Sequence, residues 1–341
     1  MKNYFCLFLC LFCYFAASLC AQNSPTLQPN EKNSAEKSKI DQTSPPSHQN
    51  QAEPKKEYET KQSNTSPQLP EEKNLSKGEQ SKPGKSAEKK EKEKTSPHTL
   101  STTVAFLSDY RSRGISQTFR RAAVQGELKY THISGFYFKS WGSNVDGTSH
   151  FINNTSLEWD FYLGLQHSFL HPQIKYDTGL LYYYYPGGRA RVRANTPYDT
   201  LEYYFSLSYK KFEIKLSLTL TDYFANNSSN PPMNWDIRRP VRPNGYSYGS
   251  PYLEVNYEYS FSSKWKAAYH VGYQAVVNYP QLNYLDWLVS LTRVFEWFEV
   301  TVTYVQTNAR KAFYNIPDHS FRPKRVDLGG PGVVLAIDKT F

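Results

Sequence analysis

The sequence predicts an all-β protein, a transmembrane antiparallel up-and-down β-barrel of about 12 strands behind a disordered N-terminal extension. Three observations carry that expectation. Apolar and polar residues alternate with a period of two along most of the chain after Thr99. The connections between alternating segments are short and long in turn. Composition also inverts near residue 99, from Lys, Glu, Ser and Pro to Tyr, Phe and Trp.

Residues 1–21 read as a secretory signal. Lys2 gives the positive start, "YFCLFLCLFCYFAA" is the apolar stretch, and Ala16, Ala17, Ser18 and Ala21 offer small residues for cleavage. The apolar run is short for a helical span, which needs about 20 residues. All four cysteines (Cys6, Cys10, Cys13, Cys20) lie in or beside this segment. The exported chain then has neither a disulfide framework nor a thiolate metal site. Leu19 before Cys20 is bulky where a lipidation signal has a small residue.

Residues 22–98 are Lys, Glu, Ser, Pro, Gln and Asn, as in "KGEQSKPGKSAEKKEKEKTSP". Such a stretch buries too little apolar surface to offset its ordering entropy. It reads as a disordered periplasmic tether, able to touch peptidoglycan or another periplasmic partner. Its charges are mixed in sign, and the +9 of the whole chain is not concentrated there. Averaging this tether with the remainder gives the mean hydropathy of −0.67, which hides the apolar faces that follow.

Residues 99–341 form the expected barrel. Strands are predicted near Leu100–Arg111, Ala122–His132, Phe136–Val145, Ser156–Ser168, Gln173–Tyr185 and Tyr198–Lys210. The second half continues with Lys211–Tyr223, Pro251–Phe261, Lys264–Val277, Leu285–Val294, Phe298–Gln306 and Gly332–Phe341. In "LEWDFYLGLQ", Trp159, Phe161, Leu163 and Leu165 oppose Glu158, Asp160, Gly164 and Gln166. In "FEIKLSLTL", Phe212, Ile214, Leu216, Leu218 and Leu220 oppose Glu213, Lys215, Ser217 and Thr219. "LEYYFSLSYK", "LEVNYEYSF" and "FEVTVTY" repeat the pattern. A soluble sheet with one wet face explains any one of these strands; a closed ring in lipid explains the set.

Tight connections fall at "ISG", "LHP", "KK", "SS" and "EW", and long ones between them. That asymmetry describes an outer-membrane barrel of a Gram-negative cell, and an even strand count puts both termini at the short-turn, periplasmic end. Tyr182–Tyr185 read as an interfacial girdle at the long-loop side, and Trp265 and Trp297 at the other rim. The chain closes on "VVLAIDKTF", where Val333, Leu335, Ile337 and Phe341 face lipid with Lys339 and Asp338 points inward. Phe341 is the expected signal to the barrel-assembly machinery.

"FLSDYRSRGISQTFRRAAVQGELKYTHISGFYFKSWGSNVD" (Phe106–Asp146) carries a resemblance. Its Ser108–Arg111, Arg113–Gln117, Gln125–Gly126, Ser134–Tyr137 and Trp141–Asn144 resemble the pattern of the TorF-type family, bacterial outer-membrane barrels that carry a porin label. Glu158 with Asp160, "YYYYPGG", "YLEVNYEYSF" and the final "KTF" match more weakly. Ala122 departs from the family, which has Pro there. The resemblance implies an outer-membrane barrel and no particular solute.

The alternation assigns a pore lining of Asp109, Arg111, Arg113, Glu127, Lys129, Glu158, Asp160, Lys215, Glu254, Glu258 and Asp338, with Lys175, Asp177 and Glu202 beside them. Rings of both signs suit passive diffusion of small hydrophilic solutes, or else a salt-bridged plug. The loops present Arg189, Arg191 and Arg193, then Arg238, Arg239 and Arg242, suited to lipopolysaccharide phosphates. These basic runs are short and scattered, which disfavours nucleic acid. A non-conducting surface barrel acting through its loops is the other reading. An outer-membrane hydrolase would need Ser, His and an acid at one rim; H-E-x-x-H does not occur, and the G-x-S-x-G at Gly245–Gly249 falls in a long connection, outside the strand-to-helix setting of a nucleophile elbow. No cofactor or metal is expected.

Overall fold

The computed structural model describes residues 96–146, 152–169, 171–190, 196–318 and 324–341. The expected signal and most of the tether lie outside these residues, as do Arg191 and Arg193. Twelve strands close into one antiparallel barrel in which each strand pairs with the next in chain order and the first with the last. They are β1 His98–Leu107, β2 Ala123–His132, β3 Phe136–Asn144, β4 Leu157–Phe169, β5 His171–Tyr184 and β6 Thr200–Tyr209. The ring continues with β7 Phe212–Thr219, β8 Pro251–Ser262, β9 Trp265–Gln274, β10 Tyr284–Val294, β11 Glu299–Thr307 and β12 Gly332–Thr340. Closure removes both sheet edges, so backbone groups in the wall find partners within it.

β1 pairs with β12 from Thr103↔Thr340 to Leu107↔Ala336, and the seam continues with the Phe341 amide on the Thr102 carbonyl at 2.8 Å. Both chain ends of the barrel therefore lie at the short-turn rim. Outward side chains form an apolar belt. Val104 and Phe106 on β1, Leu163 and Leu165 on β4, Val255 on β8 and Val271 on β9 are all exposed. No helix of the described residues is long and apolar enough to cross a membrane.

Two expectations change in detail. β1 stops at Leu107, short of the predicted Arg111, because the chain turns at Ser108. Asp109, Arg111 and Arg113 thus belong to the first long connection. Tyr182–Tyr185 are not all girdle residues: Tyr183 and Tyr185 are buried inside, and Tyr182 is exposed outside. A strand sends successive side chains to opposite faces, so a run of four tyrosines must divide between them.

The long connections are built structures. Ile115 and Phe119 of the first pack with Tyr223 of the β7–β8 connection. Val276, Tyr279 and Leu282 of the β9–β10 connection and Phe313, Tyr314, Ile316 and Leu328 of the β11–β12 connection complete the cluster. Backbone bonds stitch these loops together, Ser116 to Leu328 at 3.0 Å and Trp235 to Ala312 at 2.7 Å. The result is an apolar cap at the long-loop end.

Candidate functional site

The barrel interior divides along each strand. Toward the short turns it is polar and wet. Lys266 of β9 meets Glu299 of β11 at 2.8 Å, and the side chains are 36% and 31% exposed. Lys175 is exposed, Glu258 half-buried, and Asp338 sits opposite Glu299 in register. Glu213 takes bonds from Ser208 (3.3 Å) and Asn256 (3.4 Å). Lys129 stands 4.4 Å from the Tyr137 ring and 3.4 Å from Gln166.

Further up the strands the charges pair. Lys215 lies opposite Glu254 in register and reaches it at 3.4 Å. Lys139 reaches Glu127 at 3.6 Å and lies 3.6 Å from the Tyr162 ring. His270 of β9 is a hub, with Nδ1 2.6 Å from Asn256 and Nε2 2.9 Å from Asp286. Tyr252 joins both His270 (3.0 Å) and Asp286.

Tyrosines narrow the middle. The Tyr137 hydroxyl of β3 reaches Asp177 at 3.0 Å and Tyr204 of β6 at 2.5 Å, across β4 and β5. The rings pass over Gly164 and Gly179. A Cβ at Gly164 would come within 2.6 Å of Tyr137, and one at Gly179 within 2.3 Å of the Leu163 carbonyl. Glycine is required because a ring occupies the space a side chain would fill.

Toward the long loops the first connection folds into the lumen. Arg111–Ser112 pairs with Ile115–Ser116 as a tight hairpin. Asp109 anchors its base, accepting from Arg111 Nε (3.0 Å), Ser116 (2.5 Å) and Thr118 (2.9 Å). Arg111 also donates to the Gly330 carbonyl at 2.8 Å, tying the hairpin to the β11–β12 connection. The tip turns through positive φ at Arg113 (47°) and Gly114 (76°). A Cβ at Gly114 would meet Thr307 at 2.5 Å and Asp286 at 2.8 Å, so the tip rests on β10 and β11.

From that tip Arg113 crosses the lumen. It donates to Glu202 of β6 at 2.6 Å and to Gln274 of β9 at 2.8 Å. Its guanidinium lies 4.3 Å from the Tyr252 ring centre and 3.5 Å from the Tyr183 hydroxyl. Burial opposes its charge, and its neighbours, Glu202 foremost, together outweigh that and hold the guanidinium above its ordinary value. Glu158 and Asp160 of β4 lie in the same half, Glu158 accepting from Tyr110 at 3.0 Å.

The sequence-assigned lining therefore separates into groups. Glu127, Lys129, Lys215, Glu254, Glu258 and Asp338 are wall residues facing inward. Glu158, Asp160 and Arg113 gather in the long-loop half. Asp109 and Arg111 are buried at the hairpin base. In the loops, Arg238, Arg239 and Arg242 are exposed, and Arg189 is half-buried. Sequence reasoning did not name Gln274, Asp286 or the inward tyrosines as lining. The glycines facing the tyrosines were the available signal.

The architecture is that of a closed up-and-down β-barrel with a polar, partly occluded interior. The chain belongs to the family described as "Bacterial protein of unknown function (Gcw_chp)", whose model matches residues 91–341. No curated protein matches it. Among solved structures it is similar to the KdgM porin, with 7% identity and a TM-score of 0.39, covering 71% of this chain and 98% of that one. It is also similar to the NanC porin, with 10% identity and a TM-score of 0.40, covering 71% and 99%. An outer membrane channel from Pseudomonas putida F1 shares 11% identity at a TM-score of 0.35, covering 71% and 95%.

Proposed function

We propose that the protein is a channel of the Gram-negative outer membrane, passing small hydrophilic solutes passively through a charge-lined lumen. The observation that supports this is the division of faces around a closed ring. Lys215 and Glu254 face each other inside the wall while Leu216, Leu253 and Val255 stand outside it. Ionised groups at that depth are tolerable only against a hydrated or paired interior. The resemblance of Phe106–Asp146 to the TorF-type family points the same way. The bore is narrow because Arg113 spans it, and passage requires the hairpin to swing aside.

In this reading the belt meets outer-membrane lipid, and Arg189, Arg191, Arg193, Arg238, Arg239 and Arg242 meet lipopolysaccharide. Phe341 addresses the barrel-assembly machinery, and residues 22–98 remain in the periplasm within reach of peptidoglycan. The non-conducting alternative draws its support from the apolar cap. Planar-bilayer recording separates the two. We expect small, infrequent steps from the full barrel and steps several-fold larger from Arg113→Ala. Currents at background from both proteins would overturn the channel.

A further inference from the structure

Arg113 is held as a dissolved cation would be held. A carboxylate, an amide oxygen, a hydroxyl and a ring face reach it from β6, β9, β5 and β8. Those are the groups that recognise guanidinium in general. Resting on the channel reading above, we propose that the long-loop half of the lumen is a recognition site for guanidinium and primary ammonium solutes. Arg113 is its resident occupant, displaced when such a solute arrives.

Three features carry the proposal beyond a structural ion pair. The occupant is carried on a hairpin tip rather than on the wall, so it leaves with the hairpin. The wall also retains unused acceptors. Glu158 Oε2, Asp160 Oδ1 and Glu202 Oε1 are buried without a hydrogen-bond partner, in residues only 1%, 3% and 1% exposed. An orphaned buried acceptor is costly, and the N–H groups of an incoming cation would satisfy it.

The third feature is the local balance of charge. Glu158, Asp160 and Glu202 outnumber Arg113 and Lys139 here, Asp286 being taken up by His270 at 2.9 Å, and Lys139 is engaged by Glu127 and the Tyr162 ring. Lys215 is balanced by Glu254. An anionic solute finds no vacant cation, and a cation finds vacant oxygens. No group of three or more His, Cys, Asp or Glu among the described residues is placed to hold a metal ion. The carboxylates are spread along the wall, which fits an extended organic cation better than a bare divalent one.

The test is calorimetric titration of the folded full chain in detergent with ethylguanidinium, with acetate as the anionic control. Folding is checked by the heat-dependent gel mobility of the barrel. Arg113→Ala should bind ethylguanidinium saturably, the unaltered protein roughly tenfold more weakly, and Arg113→Ala with Glu202→Gln also roughly tenfold more weakly. Absence of saturable binding to Arg113→Ala, indifference to Glu202→Gln, or equal binding of acetate would overturn the site. If Arg113→Ala does not fold, Arg113→Gln replaces it with the same expectations. Binding is read without current, so the two readings fail separately. Binding without conductance would leave the site and remove the channel; conductance without binding would do the reverse.

Discussion

Lys266 and Glu299 meet at 2.8 Å near the short turns with about a third of each side chain in solvent, at 36% and 31%. Arg113 and Glu202 meet at 2.6 Å near the long loops with Glu202 only 1% exposed. Each pair sets a basic side chain on a glutamate at nearly the same distance. Their surroundings make them different. The first is a screened surface pair, worth little by general experience. The second is sealed beneath a cap and between tyrosines, so removing one partner strands the other. Period-two alternation produces both halves of the lumen. What comes in from the loops decides whether a polar wall stays wet.

The sharpest way to break this contrast is to remove its sealed cation. Arg113→Ala should cost about 3–5 kcal/mol in denaturant unfolding, because Glu202 is left buried and unpaired. Adding Glu202→Gln should recover part of that loss; no recovery would mean the pair is incidental. Next comes the cap. Ile316 is fully buried among the loops, and Ile316→Ala should cost about 2–4 kcal/mol while speeding protease cleavage in the long connections. The glycines beneath the tyrosines test the middle of the lumen. Gly179→Ala, whose Cβ would press the Leu163 carbonyl and the Tyr204 hydroxyl, should cost about 1–3 kcal/mol. Smallest is the wet end. Lys266→Gln should change stability by about 1 kcal/mol or less, with the effect fading as salt rises. A larger cost would erase the difference between the halves.

The barrel was legible in the sequence because the apolar outside and the polar interior of a closed ring demand opposite things of adjacent residues. Strands such as β3 and β8 fall within a residue or so of their expected ends. β1 was overextended since Asp109, Arg111 and Arg113 continue the alternation beyond the point where the chain turns. Their polar spacing serves a hairpin as well as a strand. The tyrosines were harder. An inward Tyr204 and an outward Tyr203 read alike, and only Gly164 and Gly179, two strands' worth of sequence away, mark which ring needs room. Of the long-loop site the alternation placed Arg113, Glu158, Asp160 and Glu202 toward the lumen, but not their meeting with Gln274. Residues 113, 202 and 274 sit in unrelated stretches, and only the inward fold of one hairpin brings them together.

The junction between β1 and β12 has a consequence for topology. His98 and Phe341 finish on one rim, and the seam they flank is hydrogen-bonded like the ladders beside it. Viewed down its axis the ring has no privileged starting point. A short linker joining the two ends, with new ends cut at a tight turn such as 210–211, should give a permuted protein with the same cross-section, from which a fused cargo would hang on the same side.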